Sequence, residues 1–156
     1  MQSTTEITVR YGETDMMGIV HHSVYALYYE QARVDFISHF GTTYKQIEQD
    51  GLMLPLIQLH CRYKKAVYFG DTIVVKTSVE KISVAKITFR YELYNQNNEL
   101  VNIGYTEHGF VSSDSFKPVN AKKTFPEIYE KLCRGVAPQP HKLFEKSLTK
   151  TFNCHS

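Results

Sequence analysis

From Tyr25 to Phe40 the chain reads YALYYEQARVDFISHF, and a helix of that sequence is apolar on most of its sides. Tyr25, Tyr28, Tyr29, Ala32, Phe36 and Phe40 recur at spacings of three and four and define one broad apolar face, while Leu27, Val34 and Ile37 lie well round the other side. Glu30, Gln31, Arg33, Asp35 and Ser38 then form only interrupted polar patches. Such a helix has to be wrapped by other elements. Ser23 is the expected N-cap, because its hydroxyl can accept from an unpaired first-turn amide, and Gly41 is the expected stop, which predicts a helix over about residues 24–40.

The wrapping is supplied by strands. Residues 6–11 alternate Ile7, Val9 and Tyr11 against polar neighbours, the period of a half-buried strand. After a short second helix expected over residues 43–50, alternation predicts strands over 58–67, 72–82, 86–94 and 100–111. The cleanest is 86–94, where Ile87, Phe89, Tyr91 and Leu93 alternate strictly with Lys86, Thr88, Arg90 and Glu92. Gly104 and Gly109 mark bulges or close approaches within the last strand. Pro126 suits the first turn of a terminal helix over 125–132. The fold class read from this order is α+β: one long buried helix wrapped by an antiparallel sheet of about five strands, the last four forming a meander. Residues 1–135 are expected to form one domain and 136–156, with Pro138 and Pro140 and no sustained period, a tail.

A chain of 156 residues with 42% hydrophobic and 22% charged residues can build one sizeable core. Its formal charge of +2 gives no large basic field, so nucleic acid is not an expected partner. No stretch approaches the ~20 apolar residues of a spanning helix, and MQSTTEI lacks a cationic segment before an apolar run. A cytoplasmic protein without membrane insertion is expected. Cys61, Cys133 and Cys154 are widely spaced, with no CxxC pair or zinc-like His spacing, and are expected to be free thiols; no metal ligand set is found.

Candidate chemistry sits in the loop ahead of the helix. Asp15 and His22 are separated by Met16, Met17, Gly18, Ile19 and Val20, and a carboxylate in so apolar a loop is either a local turn former or a functional group. His22 abuts the expected helix start, where free N–H groups and the positive end of the helix dipole favour developing negative charge. With a carbonyl substrate, the amides around Gly18 and His22 offer an oxyanion site and Asp15 a group to activate water or attack directly, which suits acyl transfer to water. Arg62, Lys64 and Lys65 form a cationic cluster that fits either a solvated strand face or a phosphate contact.

The run RYGETDMMGIVHHSVYALYYEQAR resembles the signature of the 4-hydroxybenzoyl-CoA thioesterase-like branch of the hotdog-fold superfamily, especially the Tol-Pal-associated acyl-CoA thioesterases. Tyr11, Thr14, Asp15, Gly18, Val20, His22, Tyr25, Glu30, Ala32 and Arg33 fill the positions of that signature. The resemblance continues through CRYKKAVYFGDTIVV, FRYELYNQNNELVNIGYTEH and Lys117-Pro118, roughly residues 6–132. It implies a hotdog fold, hydrolysis of an acyl-CoA thioester, Asp15 as the catalytic carboxylate, the His22 amide as oxyanion donor and Tyr25 beside the acyl site. No cofactor is implied, since coenzyme A is part of the substrate, with Arg62, Lys64 and Lys65 available to its phosphates. A homodimer or homotetramer is implied as well. The chain departs from the pattern at Glu13, His21 and Lys65, where Asp, an aromatic and Pro are usual. A hydratase of the same fold, or a non-catalytic acyl-thioester binding module, is the alternative; the hydratase motif is not found, and the presence of both Asp15 and His22 speaks against the module.

Overall fold

Ile87, Phe89, Tyr91 and Leu93 are all fully buried on one face of a strand, as their alternation demands, and that strand is the centre of a five-stranded antiparallel sheet. The computed structural model describes residues 1–136. Its strands are β1 (Gln2–Thr8), β2 (Leu52–Met53), β3 (Leu56–Tyr63), β4 (Thr72–Ile82), β5 (Lys86–Tyr94), β6 (Leu100–Gly109) and β7 (Val111–Ser112). The sheet order is β1-β4-β5-β6-β3, with β2 and β7 paired in a small separate ladder. The central helix is α1 (Tyr25–Ser38), entered through a 3₁₀ turn, His22–Val24. A short α2 (Tyr44–Gln49) follows, and α3 (Ala121–Thr124) and α4 (Pro126–Cys133) close the described chain. This is the hotdog arrangement, one helix wrapped by one antiparallel sheet.

Only β4, β5 and β6 form a meander. β3 pairs with β6 at the far edge, and the chain crosses the sheet from there to β4, which lies beside β1. α1 packs chiefly over β1 and β4, so β3 is left at the margin, exposed along nearly its whole length. β1 begins earlier and ends earlier than residues 6–11. Its buried face is Ser3, Thr5 and Ile7, two of them polar, and Tyr11 is 77% exposed in a 3₁₀ turn.

The helix begins one residue later and ends two residues earlier than expected. Ser23 is not the cap: the tight first turn draws residues 22–24 into 3₁₀ geometry, and the acceptor comes from His21, whose Nδ1 takes the Ser23 amide at 3.2 Å. His39 caps the other end, followed by Gly41 at φ +70°.

Gly104 is a close approach. A Cβ there would fall on Cζ, Cε2 and the hydroxyl of Tyr29, well inside the 3.0 Å that real Cβ atoms keep. Tyr29, fully buried, lies flat over that gap, stacked on Tyr91 with ring centroids 4.6 Å apart and 8° between planes. Its hydroxyl donates to Asn102 Oδ1 and also lies within hydrogen-bond distance of the Cys61 thiol. Cys61 and Cys133 are free thiols; Cys154 lies outside the described residues, as does residues 137–156 of the expected tail. Val136 joins the domain, bridging Val79 in parallel.

Candidate active site

The loop between β1 and α1 is a miniature hairpin. Thr14 bridges Val20, the Asp15 amide donates to Ile19 O at 2.9 Å, and the His21 amide donates to Glu13 O at 2.9 Å. The turn at its tip, Asp15 to Gly18, is closed by the Gly18 amide on Asp15 O at 2.9 Å and by the Met17 amide on Asp15 Oδ1 at 2.8 Å. Gly18 carries φ +77°, a conformation other residues rarely adopt. Ile19 bridges Tyr68, and the Val20 amide donates to Val67 O at 2.8 Å, which ties the hairpin to the chain leading into β4.

Glu13 fastens the hairpin to the helix. Its carboxylate accepts from the Tyr28 hydroxyl at 2.8 Å, from the Arg10 amide at 2.8 Å and from the Arg10 guanidinium. Burial alone would raise its pKa, but these donors hold it below the ordinary carboxylate value. The side chain is therefore an anchor.

The 3₁₀ turn sets the backbone. His21 O accepts from the Val24 amide at 3.0 Å, while the same peptide's N–H, that of His22, has no hydrogen-bond partner among the described residues. The next peptide is held at both ends, because His22 O accepts from the Tyr63 hydroxyl at 3.1 Å and the Ser23 amide donates to His21 Nδ1. The His21 and His22 rings lie together at 4.0 Å.

These pieces enclose a cavity of about 320 Å³, walled by Asp15, Met17, His22, Tyr25, Tyr63 and the run 64–66. Tyr25 and Tyr63 meet edge to face at 5.3 Å. Burial, with Cys61 and Tyr63 nearby, pushes the Tyr25 pKa up to about 12, and the Cys61 hydrogen bond, with burial, does the same to Tyr63. Both phenols stay protonated donors near neutral pH.

The structure thus brings Asp15, His22, Tyr25, Lys64 and Lys65 to one cavity. Gly18 and Arg62 do not line it. The Gly18 amide, expected as an oxyanion donor, is used inside the turn. Arg62 alternates with Cys61 and Tyr63 on β3 and so projects from the opposite face of the sheet. Lys65 is paired with Glu99, whereas Lys64 enters no ion pair among the described residues. Tyr63, which also lines the cavity, was not among the candidates drawn from the sequence. The signal was available: in β3, Tyr63 shares a face with Cys61, the face turned to the helix.

The chain matches the family model of the thioesterase-like superfamily over residues 9–132. It is 38% identical over 132 residues to YneP of Bacillus subtilis, a provisionally named acyl-CoA thioesterase, with 83% of this chain and 96% of the relative covered. A 1,4-dihydroxy-2-naphthoyl-CoA hydrolase of Thermosynechococcus vestitus is 26% identical over 102 residues, covering 65% of this chain and 70% of the relative. Among solved structures, a DHNA-CoA thioesterase from Staphylococcus aureus superposes with TM-score 0.81 at 38% identity, covering 85% of this chain and 89% of that one.

Proposed function

Because the chain belongs to the thioesterase-like superfamily, we propose that it is an acyl-CoA thioesterase of the 4-hydroxybenzoyl-CoA thioesterase-like branch, hydrolysing its substrate to a free acid and coenzyme A. One observation carries the reading: Asp15 and His22 line the same cavity, and the His22 amide at the helix start has no hydrogen-bond partner among the described residues.

In this reading the thioester carbonyl oxygen accepts from the His22 N–H, where the helix dipole adds to the polarisation. The Met17 amide, donating to Asp15 Oδ1, fixes the carboxylate, and its other oxygen activates water or attacks the carbonyl carbon itself. On the water route the new C–O bond is to the water oxygen, the C–S bond breaks, and the proton taken up by Asp15 passes to the departing thiolate. On the direct route the C–S bond breaks as Asp15 forms a mixed anhydride, and water then cleaves that anhydride, releasing the acid, restoring the carboxylate and supplying the thiolate's proton. Tyr25 and Tyr63 border the acyl group, and Lys64 stands closest to hand for a phosphate of coenzyme A. No step is assigned to a metal or a cofactor.

The same reading makes the protein a homo-oligomer. β3 is an open edge carrying Leu56, Ile57, Leu59 and Tyr63, each at least 40% exposed, and such an edge is a template for a second copy. Pairing of two β3 strands about a two-fold axis would place each catalytic cavity at the subunit boundary.

The direct test is Asp15→Asn, which removes the charge and nearly preserves the shape. Thiol release from a panel of acyl-CoAs should fall by ~10²–10⁴ with unchanged melting. A variant retaining more than about a tenth of the wild-type rate would remove Asp15 from the reaction, and enoyl hydration or binding without thiol release by the wild type would remove the thioesterase reading.

A further inference from the structure

A second cavity, of about 350 Å³, opens between α1 and the other end of β3, and at its base is a buried positive charge with no carboxylate paired to it. Arg33 is only 8% exposed, and among the described residues it enters no ion pair. Its Nε is buried without a hydrogen-bond partner. One terminal nitrogen donates to Tyr91 Oη at 3.3 Å, and the guanidinium lies over the Tyr44 ring, 5.8 Å from its centroid.

The groups linked to Arg33 by hydrogen bonds are all neutral. His108 Nδ1 faces the Leu54 carbonyl at 2.9 Å and must donate to it, so Nε2 accepts from the Thr106 hydroxyl at 2.9 Å. Thr106 Oγ1 then accepts from the Tyr91 hydroxyl at 2.8 Å, and Tyr91 Oη accepts from Arg33. The chain runs one way, from guanidinium to backbone carbonyl, with no anion in it. Burial and the Arg33 charge together push the His108 pKa down to about 4, so this imidazole supplies no second cation. An unpaired buried guanidinium is costly, and its planar fork is shaped for a carboxylate. Glu30 also lines the cavity, but it is exposed at the rim and makes no ion pair with Arg33.

We propose that this cavity binds a carboxylate, and that the carboxylate is the far end of the acyl group. The step from cavity to substrate rests on the thioesterase reading and on the open edge. The Arg33 cavity uses Leu56 and Leu59 of β3, and the Asp15 cavity uses Tyr63 and the residues after it. Antiparallel pairing of two β3 strands about Cys61 sets Leu59 opposite Tyr63 of the partner subunit. The Arg33 cavity of one protomer then adjoins the Asp15 cavity of the other. An acyl chain held at its thioester by one subunit runs into the apolar wall of Leu27, Leu56 and Leu59 in its neighbour and ends at Arg33. The favoured substrates are ω-carboxyacyl thioesters.

The experiment compares purified wild type on glutaryl- and adipyl-CoA against butyryl- and hexanoyl-CoA, with free glutarate tested alone. The carboxylate-ended thioesters should be favoured at least about tenfold in kcat/KM, the scale of one charge-assisted hydrogen bond. Arg33→Lys should keep part of that ratio and Arg33→Gln should bring it to about one. Preference for the methyl-ended thioesters, or no preference together with no stabilisation by free glutarate, overturns the carboxylate site while leaving the thioesterase reading intact. Failure to release thiol from any acyl-CoA overturns the reading itself. Stabilisation by free glutarate without any acyl preference overturns the assignment to the acyl end. The wild-type comparison decides even where an Arg33 variant fails to fold.

Discussion

Replacing Gly104 by Ala puts one methyl group into the best-defined contact of the core. Its Cβ would overlap three atoms of Tyr29, and the ring has to retreat by about an ångström before the contact becomes ordinary. There is nowhere to retreat, because Tyr91 is stacked against the ring at 4.6 Å and both tyrosines are fully buried. Overpacking of this kind costs ~1–3 kcal/mol. Displacing the Tyr29 hydroxyl from Asn102 and Cys61 adds ~1–3 kcal/mol for buried polar groups left unpaired. The expected loss is about 2–6 kcal/mol, a large share of the ~5–15 kcal/mol of a typical domain. For a chain of this size that lowers Tm by roughly 4–24 °C. Calorimetry or circular dichroism melting of the purified variant measures it. Placing the change in a Tyr29→Ala background sharpens the test, since with the ring gone the added methyl should cost much less. A Gly104→Ala protein melting within about 2 °C of wild type, or costs that simply add in the double variant, would refute the reasoning.

Three further outcomes follow from the geometry. His22→Ala keeps the backbone amide, so the loss of kcat should be partial and smaller than for Asp15→Asn; an equal or larger loss would assign the chemistry to the imidazole. His108, with its folded-state pKa depressed from 6.5 to about 4, binds its proton in the unfolded chain first; its share of the stability is whole above pH 6.5 and drains as pH falls towards 4, by at most ~3 kcal/mol. Chemical denaturation across that range reads the slope, which His108→Gln should flatten and which an unchanged slope would contradict. Light scattering at micromolar concentration should give a mass at least twice 18.1 kDa, and a fully active monomer would exclude a site shared between subunits.

The parts of the fold legible in the sequence are those where burial and apolarity coincide. Ile87, Phe89, Tyr91 and Leu93 alternate without exception, and the helix face of Tyr25, Tyr28, Tyr29, Ala32 and Phe36 is buried throughout. Where the core is polar the period disappears. β1 buries Ser3 and Thr5, so alternation seemed to begin at Ile7. β6 is the sharper case. Its alternating buried face is Asn102, Gly104, Thr106 and His108, while Ile103 and Tyr105, which read as an apolar stripe, lie on the other face and are only half-buried, with Val101 and Gly109 buried at the strand's two ends. Those inward polar groups are tolerated because Tyr29, Tyr91 and the Leu54 carbonyl satisfy them, partners from elsewhere in the chain that no local pattern reveals. The Asp15 loop was legible for the opposite reason, since its two ends are close in sequence and a glycine turn joins them. Tyr63 and Arg33 reach their cavities only through tertiary structure.

The placement of α1 explains why both cavities lie along one edge. A single helix cannot cover five strands, and this one sits over β1 and β4, where Ile7, Ile73 and Val75 are buried. The β6–β3 half keeps its helix-facing side partly open along β3, with Leu27, Leu56, Leu59 and Tyr63 uncovered in one protomer. An exposed apolar strip beside an unpaired strand edge is unfavourable in an isolated subunit and is relieved by a second copy. The groups that would do chemistry lie at the two ends of that strip: the His22 amide and Asp15 beside Tyr63, and Arg33 beside Leu59. A two-fold pairing would cover the strip and join unlike ends in the same event. In the proposed pair water would be excluded from the acyl site as the subunits associate, closing a cavity whose Asp15, His22 and Tyr63 all come from one protomer.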